Sequence, residues 1–109
     1  MQIVKSSESI KKAGFGKCEV IEYPMDAKAI DICIVKVFGR VPAAGYKMNE
    51  ISDAACHVVS GTGAINEASV SAGDSFSISR GEKYFFDGEF TMTMSCTPAW
   101  EAEQGKEVE

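Results

Sequence analysis

The chain has 109 residues, with 11 Lys and Arg against 16 Asp and Glu, which gives a formal net charge of −5. Hydrophobic residues make up 45% and charged residues 25% of the sequence, and this globular composition excludes wholesale disorder and a fibrous repeat. The length corresponds to one domain. Lys and Arg are dispersed along an acidic chain, which argues against nucleic acid as a partner, because phosphate backbones are bound by clustered basic side chains.

Targeting signals and cysteine spacing indicate the compartment. Residues 1–8 lack the apolar core of a secretory signal, and no later stretch is long and apolar enough to span a membrane. We therefore expect a cytoplasmic protein without a membrane partner. Cys18, Cys33, Cys56 and Cys96 form no C-x-x-C pair, which excludes zinc-finger and thioredoxin-type sites. We expect reduced thiols, most of them buried.

Short strands dominate the predicted secondary structure. Residues 7–13 form a short helix candidate, capped by Ser7 and stopped by Gly14 and Gly16. The strand-like segments that follow are 18–23, 29–38, 56–60, 64–66, 75–79, 83–86 and 89–96. Glycine-containing dipeptides and tripeptides favour tight turns, so we expect turns at residues 61–63 and 87–88.

The irregular segments come between and after these strands. Residues 39–53 contain several turn-forming residues and predict a long loop at the mouth of the domain. Within it, Arg40, Lys47 and Glu50 are candidates to orient a carboxylate or hydroxyl of a ligand, with solvated loop charge as the alternative. The charged residues 101–109 predict a flexible acidic tail.

The number and spacing of the strands predict the fold class. About eight short strands with glycine turns every 8 to 12 residues are typical of an all-β sandwich or small barrel. We expect one domain over residues 1–109, with the barrel core at about 17–98 and a short N-terminal extension.

Two sequence motifs resemble those of the cupin superfamily. Residues 73–84, Gly-Asp-Ser-Phe-Ser-Ile-Ser-Arg-Gly-Glu-Lys-Tyr, resemble the second cupin motif G-D-x-x-x-I-P-x-G-x-x-H, with Ser79 at the proline and Tyr84 at the histidine position. Residues 56–65 resemble the end of the first motif, and 42–45 the loop that opens it. Five further segments are similar to small stand-alone bacterial cupins: 37–40, 45–46, 49–50, 81–85 and 97–100. The resemblance implies a cupin-type jelly-roll β-barrel (double-stranded β-helix), commonly a homodimer, with its site at the open end.

The same resemblance implies that the metal ligands of cupins are missing. Cupins that bind a metal use histidines and one carboxylate, a set that suits iron, manganese, nickel or zinc. The carboxylate position falls on Ala54, and the fourth ligand position is Tyr84. The two histidine positions fall on Met48 and Glu50, or on Lys47 and Asn49 with the longer spacer. We therefore expect no metal and no other cofactor.

Replacement ligands and a small-molecule site are the remaining possibilities for the interior. Strand alternation predicts that Cys56 faces inward and His57 outward. Cys56, Cys96 and Glu50 would together suit a soft metal, with packed thiols as the alternative. Tyr84 offers a phenol for hydrogen bonding or stacking, and cavity filling is its alternative. The candidate ligand-binding residues are Tyr84, Phe86, Met48, Glu50, Cys56 and Trp100.

Three functional hypotheses follow, and the catalytic residues are left unassigned. The first is a non-catalytic barrel that binds a small organic ligand in a largely apolar cavity. The second is a metal-free or atypical-metal isomerase- or epimerase-like enzyme, for which Glu50 or Tyr84 would have to act as acid or base. The third is a structural dimerisation module with a filled barrel. In that case five interior residues are ordinary core: Cys56, Tyr84, Phe86, Met92 and Met94.

Overall fold

Strands account for nearly all of the regular structure. The computed structural model describes residues 1–101 and 104–109, and over these ranges the chain forms nine strands and one 3₁₀ turn, Ser6–Glu8. The strands are β1 Ile10–Ala13, β2 Cys18–Glu22, β3 Cys33–Phe38, β4 Tyr46–Asn49, β5 Asp53–Ile65, β6 Ala68–Ser71, β7 Ser75–Ile78, β8 Phe86–Thr97 and β9 Gly105–Val108. The all-β prediction is confirmed.

The strands are arranged in two antiparallel sheets. The large sheet has the order β1-β2-β3-β8-β5-β6, with β7 also paired to β5, and the small sheet pairs β4 with β9. Isolated bridges join Lys47 of β4 to Tyr84, just before β8, and Val41, in the segment before β4, to Phe86, the first residue of β8. The small sheet is therefore bonded to the segment that leads into β8, and β8 forms the longest strand pair of the large sheet with β5.

One apolar core lies along β3, β5 and β8. Strand β5 alternates strictly between buried and exposed residues from Asp53 to Val58, as expected when one face of a strand packs inward. Val58 and Met92 are fully buried. The other buried apolar side chains of the three strands are Val35, Val37, Ala54, Cys56, Phe86, Phe90 and Cys96. Fully burying one such large apolar side chain contributes about 1.5–3 kcal/mol to folding.

The turns predicted at residues 61–63 and 87–88 are wrong. Strands β5 and β8 run through both predicted turns without interruption, and Gly63 lies directly opposite Gly88. A Cβ atom on Gly88 would come 2.5 Å from the Cα of Gly63, and Gly88 has a φ of 111°. These glycines therefore allow two strands to approach closely inside a sheet, where strand glycines often mark bends. The chain turns at residues 66–67 instead.

The helix predicted over residues 7–13 is also wrong. Residues 6–8 form a single 3₁₀ turn, and Ile10–Ala13 pairs with β2 at the sheet edge. A helix this short is marginal in water, whereas the edge of β2 offers a full set of backbone partners. Across the described ranges, no helix is long and apolar enough to cross a membrane.

The expected flexible tail is replaced by structure over residues 104–109. Strand β9 pairs with β4, and the preceding Gln104 is only 3% exposed. Its Oε1 accepts hydrogen bonds from the backbone N–H groups of Ile51 (3.1 Å) and Ser52 (2.7 Å), and its Nε2 donates to Ser52 Oγ at 2.8 Å. Residues 102 and 103 lie outside the described part. One buried amide thus docks a segment whose composition is that of a tail.

Candidate functional site

A cluster of polar side chains is buried where the small sheet meets the large one. Strand β4 alternates, so that Lys47 and Asn49 are buried while Tyr46 and Met48 are half-buried. The Lys47 N–H donates to the Tyr84 carbonyl at 2.7 Å, and the Tyr84 N–H donates to the Lys47 carbonyl at 2.9 Å. Directly opposed antiparallel residues project their side chains to the same face. The side chains of Lys47 and Tyr84, each only 5% exposed, are therefore neighbours in the interior.

Asn49 connects Tyr84 to Trp100. The indole Nε1 of Trp100 donates to Asn49 Oδ1 at 3.2 Å, and since an indole N–H can only donate, the Asn49 amide nitrogen remains for the phenol. Burial raises the pKa of Tyr84 well above its usual range, and the hydrogen bond from Asn49 opposes this only in part. Tyr84 is therefore a neutral phenol at physiological pH, with its own proton available for donation.

Lys47 is the least satisfied group of the cluster. Within the described ranges, no acceptor lies within hydrogen-bond distance of its Nζ. Burial lowers the pKa of the Lys47 ammonium from 10.5 to about 8, while Glu107 on β9 and the Cys18 thiol raise it. Desolvation of an ammonium is expensive when no acceptor replaces water. We call the cluster of Lys47, Asn49, Tyr84 and Trp100 the Lys47 site.

The ring of Phe15 covers the Lys47 amine. Lys47 Nζ lies 2.8 Å from the ring centroid, in a cation–π contact that replaces part of the lost hydration. Phe15 itself is 46% exposed, so its other face is open to solvent. It sits between Gly14 and Gly16 in the turn that joins β1 to β2, and Gly16 has a φ of 78°. The ring that lies against the amine thus belongs to a short, glycine-flanked turn.

Below the Lys47 site the interior is filled by aromatic rings. The centroids of Tyr84 and Phe86 are 5.2 Å apart, and those of Phe86 and Phe90 are 6.3 Å apart in an edge-to-face arrangement. Phe76 packs on Phe86 at 6.4 Å. Such pairs add about 0.5–1.5 kcal/mol to what their burial contributes. Phe86 is therefore a packed core residue.

The structure brings some of the predicted site residues together and separates others. Tyr84, Phe86 and Cys56 all face the core, and Trp100 reaches it through Asn49. Met48 is half-buried between the two inward-facing residues of β4. Glu50 is exposed and forms an ion pair with Lys106 at 3.1 Å, away from the interior.

Glu50 therefore does not combine with the interior thiols. Burial raises the pKa of Cys56 and of Cys96 to about 12, so both are neutral thiols. Among the residues that the structure describes, no group of three His, Cys, Asp or Glu side chains is arranged to hold a metal ion. The soft-metal site of Cys56, Cys96 and Glu50 is not assembled, because Glu50 lies on the outer side of its segment.

Sequence reasoning overlooked Lys47 and Asn49 as an inward-facing pair. They occupy the two histidine positions of the longer spacer, which was one of two alternatives. The segment was predicted as a loop, so strand alternation was not applied to Tyr46–Asn49, although it is the signal that selects this pair. The buried Gln104 has no comparable signal in the sequence.

The outer face of the large sheet carries an open groove. It has a volume of about 490 Å³ and includes His57, Ser75, Ser77 and Thr93. His57 is exposed, as predicted, and its Nδ1 lies 2.7 Å from Ser75 Oγ. The groove lies on the opposite face of β5 from the Lys47 site.

Comparison with solved structures identifies the fold. Pac13, a nucleoside dehydratase, is 18% identical with a TM-score of 0.85 over 100% of this chain and 92% of that chain. A variant of the Streptomyces protein, solved with uridine, gives 0.86 at 18% identity. An RmlC-like cupin from Shewanella frigidimarina gives 0.75 at 14% identity over 93% and 94% of the two chains. Ectoine synthase from P. lautus gives 0.76 at 11% identity over 100% and 91%.

At these identities the likeness carries the fold and leaves the activity open. No family model matches the sequence, and no curated protein matches it. The motif resemblance, the strand order and the solved structures agree, and the chain has the cupin-type jelly-roll fold that the sequence predicted.

Proposed function

We propose that this protein binds a small organic molecule at the Lys47 site, through an anionic or carbonyl oxygen of the ligand. The observation that carries the proposal is the Lys47 amine, which is buried and has no acceptor among the described residues. Removing one partner of a buried charge pair is strongly destabilising, and a lone buried ammonium has the same unmet requirement. A ligand oxygen would supply the missing partner.

The neighbours of Lys47 support an oxygen acceptor as the complementary group. Asn49 uses its carbonyl oxygen for Trp100 and its amide nitrogen for Tyr84, so Tyr84 retains a proton to donate. The site therefore offers an ammonium and a phenol as donors. A carboxylate, with two acceptor oxygens, matches such a pair of donors.

The filled-barrel hypothesis explains a different part of the interior. Phe86, Phe90 and Met92 are buried and closely packed, as a structural core requires. A purely structural role does not explain why a lysine occupies position 47. A methionine of similar length would fill the same space without an ammonium to desolvate. This contrast favours a binding role for the Lys47 end.

A catalytic role at the same site is the second candidate. Two of the structural neighbours, the nucleoside dehydratase and the ectoine synthase, have the names of enzymes. A Lys47 pKa of about 8 lies close to neutral pH, where a general acid or base is most effective. Glu50 is less suited to this role, since it is exposed and paired with Lys106.

Trp100 provides a direct test of ligand binding. It is the single tryptophan of the chain, and its indole N–H is bonded to Asn49 inside the site. We expect lactate to shift the indole resonance in ¹H–¹⁵N NMR spectra, and lactamide, its neutral amide, to have little effect. Lys47→Met should abolish the shift. Lys36→Met, which changes an exposed lysine on β3, is the matched control and should retain it.

The result also separates the binding and structural hypotheses. An indole resonance that lactate leaves unmoved, or moves equally in Lys47→Met and in the unchanged protein, would contradict binding at this site and favour the structural module. Equal shifts with lactate and lactamide would contradict the role of the ammonium.

A further inference from the structure

We propose that Lys47 forms an imine with the carbonyl carbon of a small 2-oxo acid bound at the Lys47 site. The inference rests on the proposed function, because the 2-oxo acid must first enter the site as an oxygen acceptor. Lys47 is then the nucleophile, and Tyr84 is the hydrogen-bond donor to the carbonyl oxygen. The ligand class combines the two groups that the site can use, a carboxylate and an adjacent carbonyl.

The position of the amine separates Lys47 from the other lysines. Lys47 is the one buried lysine of the chain, and all nine lysines lie in described segments. Its Nζ carries no hydrogen bond that a reaction would have to break. Phe15 covers it, so an imine formed there is shielded from the water that would hydrolyse it.

The electrostatics of the pocket favour nucleophilic attack at neutral pH. An amine attacks through its lone pair, so that the fraction without a proton sets its reactivity, and desolvated lysines are the ones that form such adducts. Burial lowers the pKa of Lys47 to about 8, whereas the facing groups Glu107 and Cys18 raise it. The Tyr84 phenol and the Asn49 amide, which lie in the same buried cluster, carry no charge at this pH.

The reaction balances without an oxidant or a cofactor. The Lys47 ammonium loses one proton as its nitrogen bonds to the carbonyl carbon, and the carbonyl oxygen takes that proton as the C=O π bond breaks. A second proton passes from nitrogen to the same oxygen, which leaves as water. The product is a protonated imine, so the positive charge stays on nitrogen beside the ligand carboxylate. Tyr84 and Lys47 are paired through their backbones, and in the proposed complex the neutral Tyr84 phenol donates its hydrogen bond to the carbonyl oxygen of the ligand.

Reductive trapping tests the inference. The protein is incubated with pyruvate and sodium cyanoborohydride at pH 7, digested, and its lysine peptides are compared by mass spectrometry. We expect the reduced pyruvate adduct on Lys47 at least tenfold above any other lysine. Lys47→Arg, which keeps the charge but cannot form the imine under these conditions, should lose the adduct. Lys36→Arg is the matched control and should retain the adduct on Lys47.

Lactate separates failure of the inference from failure of the proposed function. Lactate has the carboxylate but no carbonyl, so it should shift the Trp100 indole resonance, suppress the pyruvate adduct by competition, and form no adduct itself. An indole shift with lactate and no pyruvate adduct on Lys47 would overturn the imine and leave binding intact. No shift with either compound, together with no adduct, would overturn both. An adduct spread evenly over the lysines would also overturn the imine.

Discussion

The two ends of the interior follow different rules. Around Phe86 and Met92 the side chains are apolar, fully enclosed and in contact with one another, so this end supplies stability. At the Lys47 site an ammonium, an amide and a phenol are equally enclosed, yet the amine has no acceptor in the described part of the chain. The first end holds the fold together, and the cost of the second end in stability is what the proposed binding role would explain.

The largest change in the free energy of unfolding should come from a substitution in the apolar end of the interior, around Phe86. Phe86→Ala removes a ring that contacts Tyr84, Phe76 and Phe90, and it should lower the free energy of unfolding by about 4 kcal/mol, as core aromatic truncations do. Urea denaturation followed by circular dichroism measures this. A loss below about 1 kcal/mol would mean that the interior is loosely filled and that the comparison between the two ends fails.

A substitution at Lys47 is expected to raise the free energy of unfolding rather than lower it. Lys47→Met should raise the free energy of unfolding by about 2 kcal/mol at pH 7, a value reduced from the full pKa shift to allow for solvent screening. The gain should shrink as pH rises from 8 to 10.5. In that window the unfolded state binds more protons than the folded state, so the unchanged protein becomes more stable with pH.

Urea denaturation of both proteins at pH 7 and pH 10 measures this second effect. Lys36→Met, at an exposed position, should change stability by less than about 0.5 kcal/mol at either pH. A destabilised Lys47→Met protein at pH 7 would contradict the claim that the ammonium is an unmet charge.

A substitution in the C-terminal segment should change the free energy of unfolding by a smaller amount. It tests how β9 supports β4, the strand that carries Lys47. Gln104→Ala leaves the Ser52 N–H without its 2.7 Å partner and should lower the free energy of unfolding by about 1.5 kcal/mol. Because β9 pairs with β4, hydrogen exchange of the β4 amides should accelerate at the same time. Unchanged exchange in β4 would show that β9 docks independently of Gln104.

The smallest change in stability is expected at Phe15. Phe15→Ala removes a half-exposed ring and should cost less than about 1 kcal/mol. Burial is the main cause of the lowered pKa of Lys47, so uncovering the amine should move that pKa upward from about 8. NMR titration of the Lys47 side chain detects this shift. An unchanged pKa would mean that Phe15 is not the cover.

Local patterns predicted the fold better than the connections between strands. Alternation around Cys56 and the register of the motif ending at Tyr84 correctly indicated an inward-facing wall. The errors arose where distant segments decide the structure. The local patterns around Gly63 and Gly88 favour turns, but the two glycines are paired with each other across two strands, which no local pattern reveals. In the same way, Gln104 docks on residues 51 and 52, a contact that composition does not reveal.

The candidate site was predicted in part for the same reason. Tyr84 and Trp100 were chosen from the resemblance and from residue type, and both belong to the Lys47 site. Lys47 and Glu50 were weighed together as loop charges, and only the pairing of β4 with Tyr84 and β9 decides that Lys47 turns inward. An unsatisfied buried amine depends on every neighbour, so no local pattern predicts it.

The most direct test of the central claim is the pKa of the Lys47 amine measured by ¹³Cε NMR, with and without lactate. The account predicts a pKa near 8 in the free protein, and a higher value with lactate, because a nearby carboxylate favours the charged form. A pKa near 10.5 that lactate leaves unchanged would contradict both the burial of the amine and its role in binding.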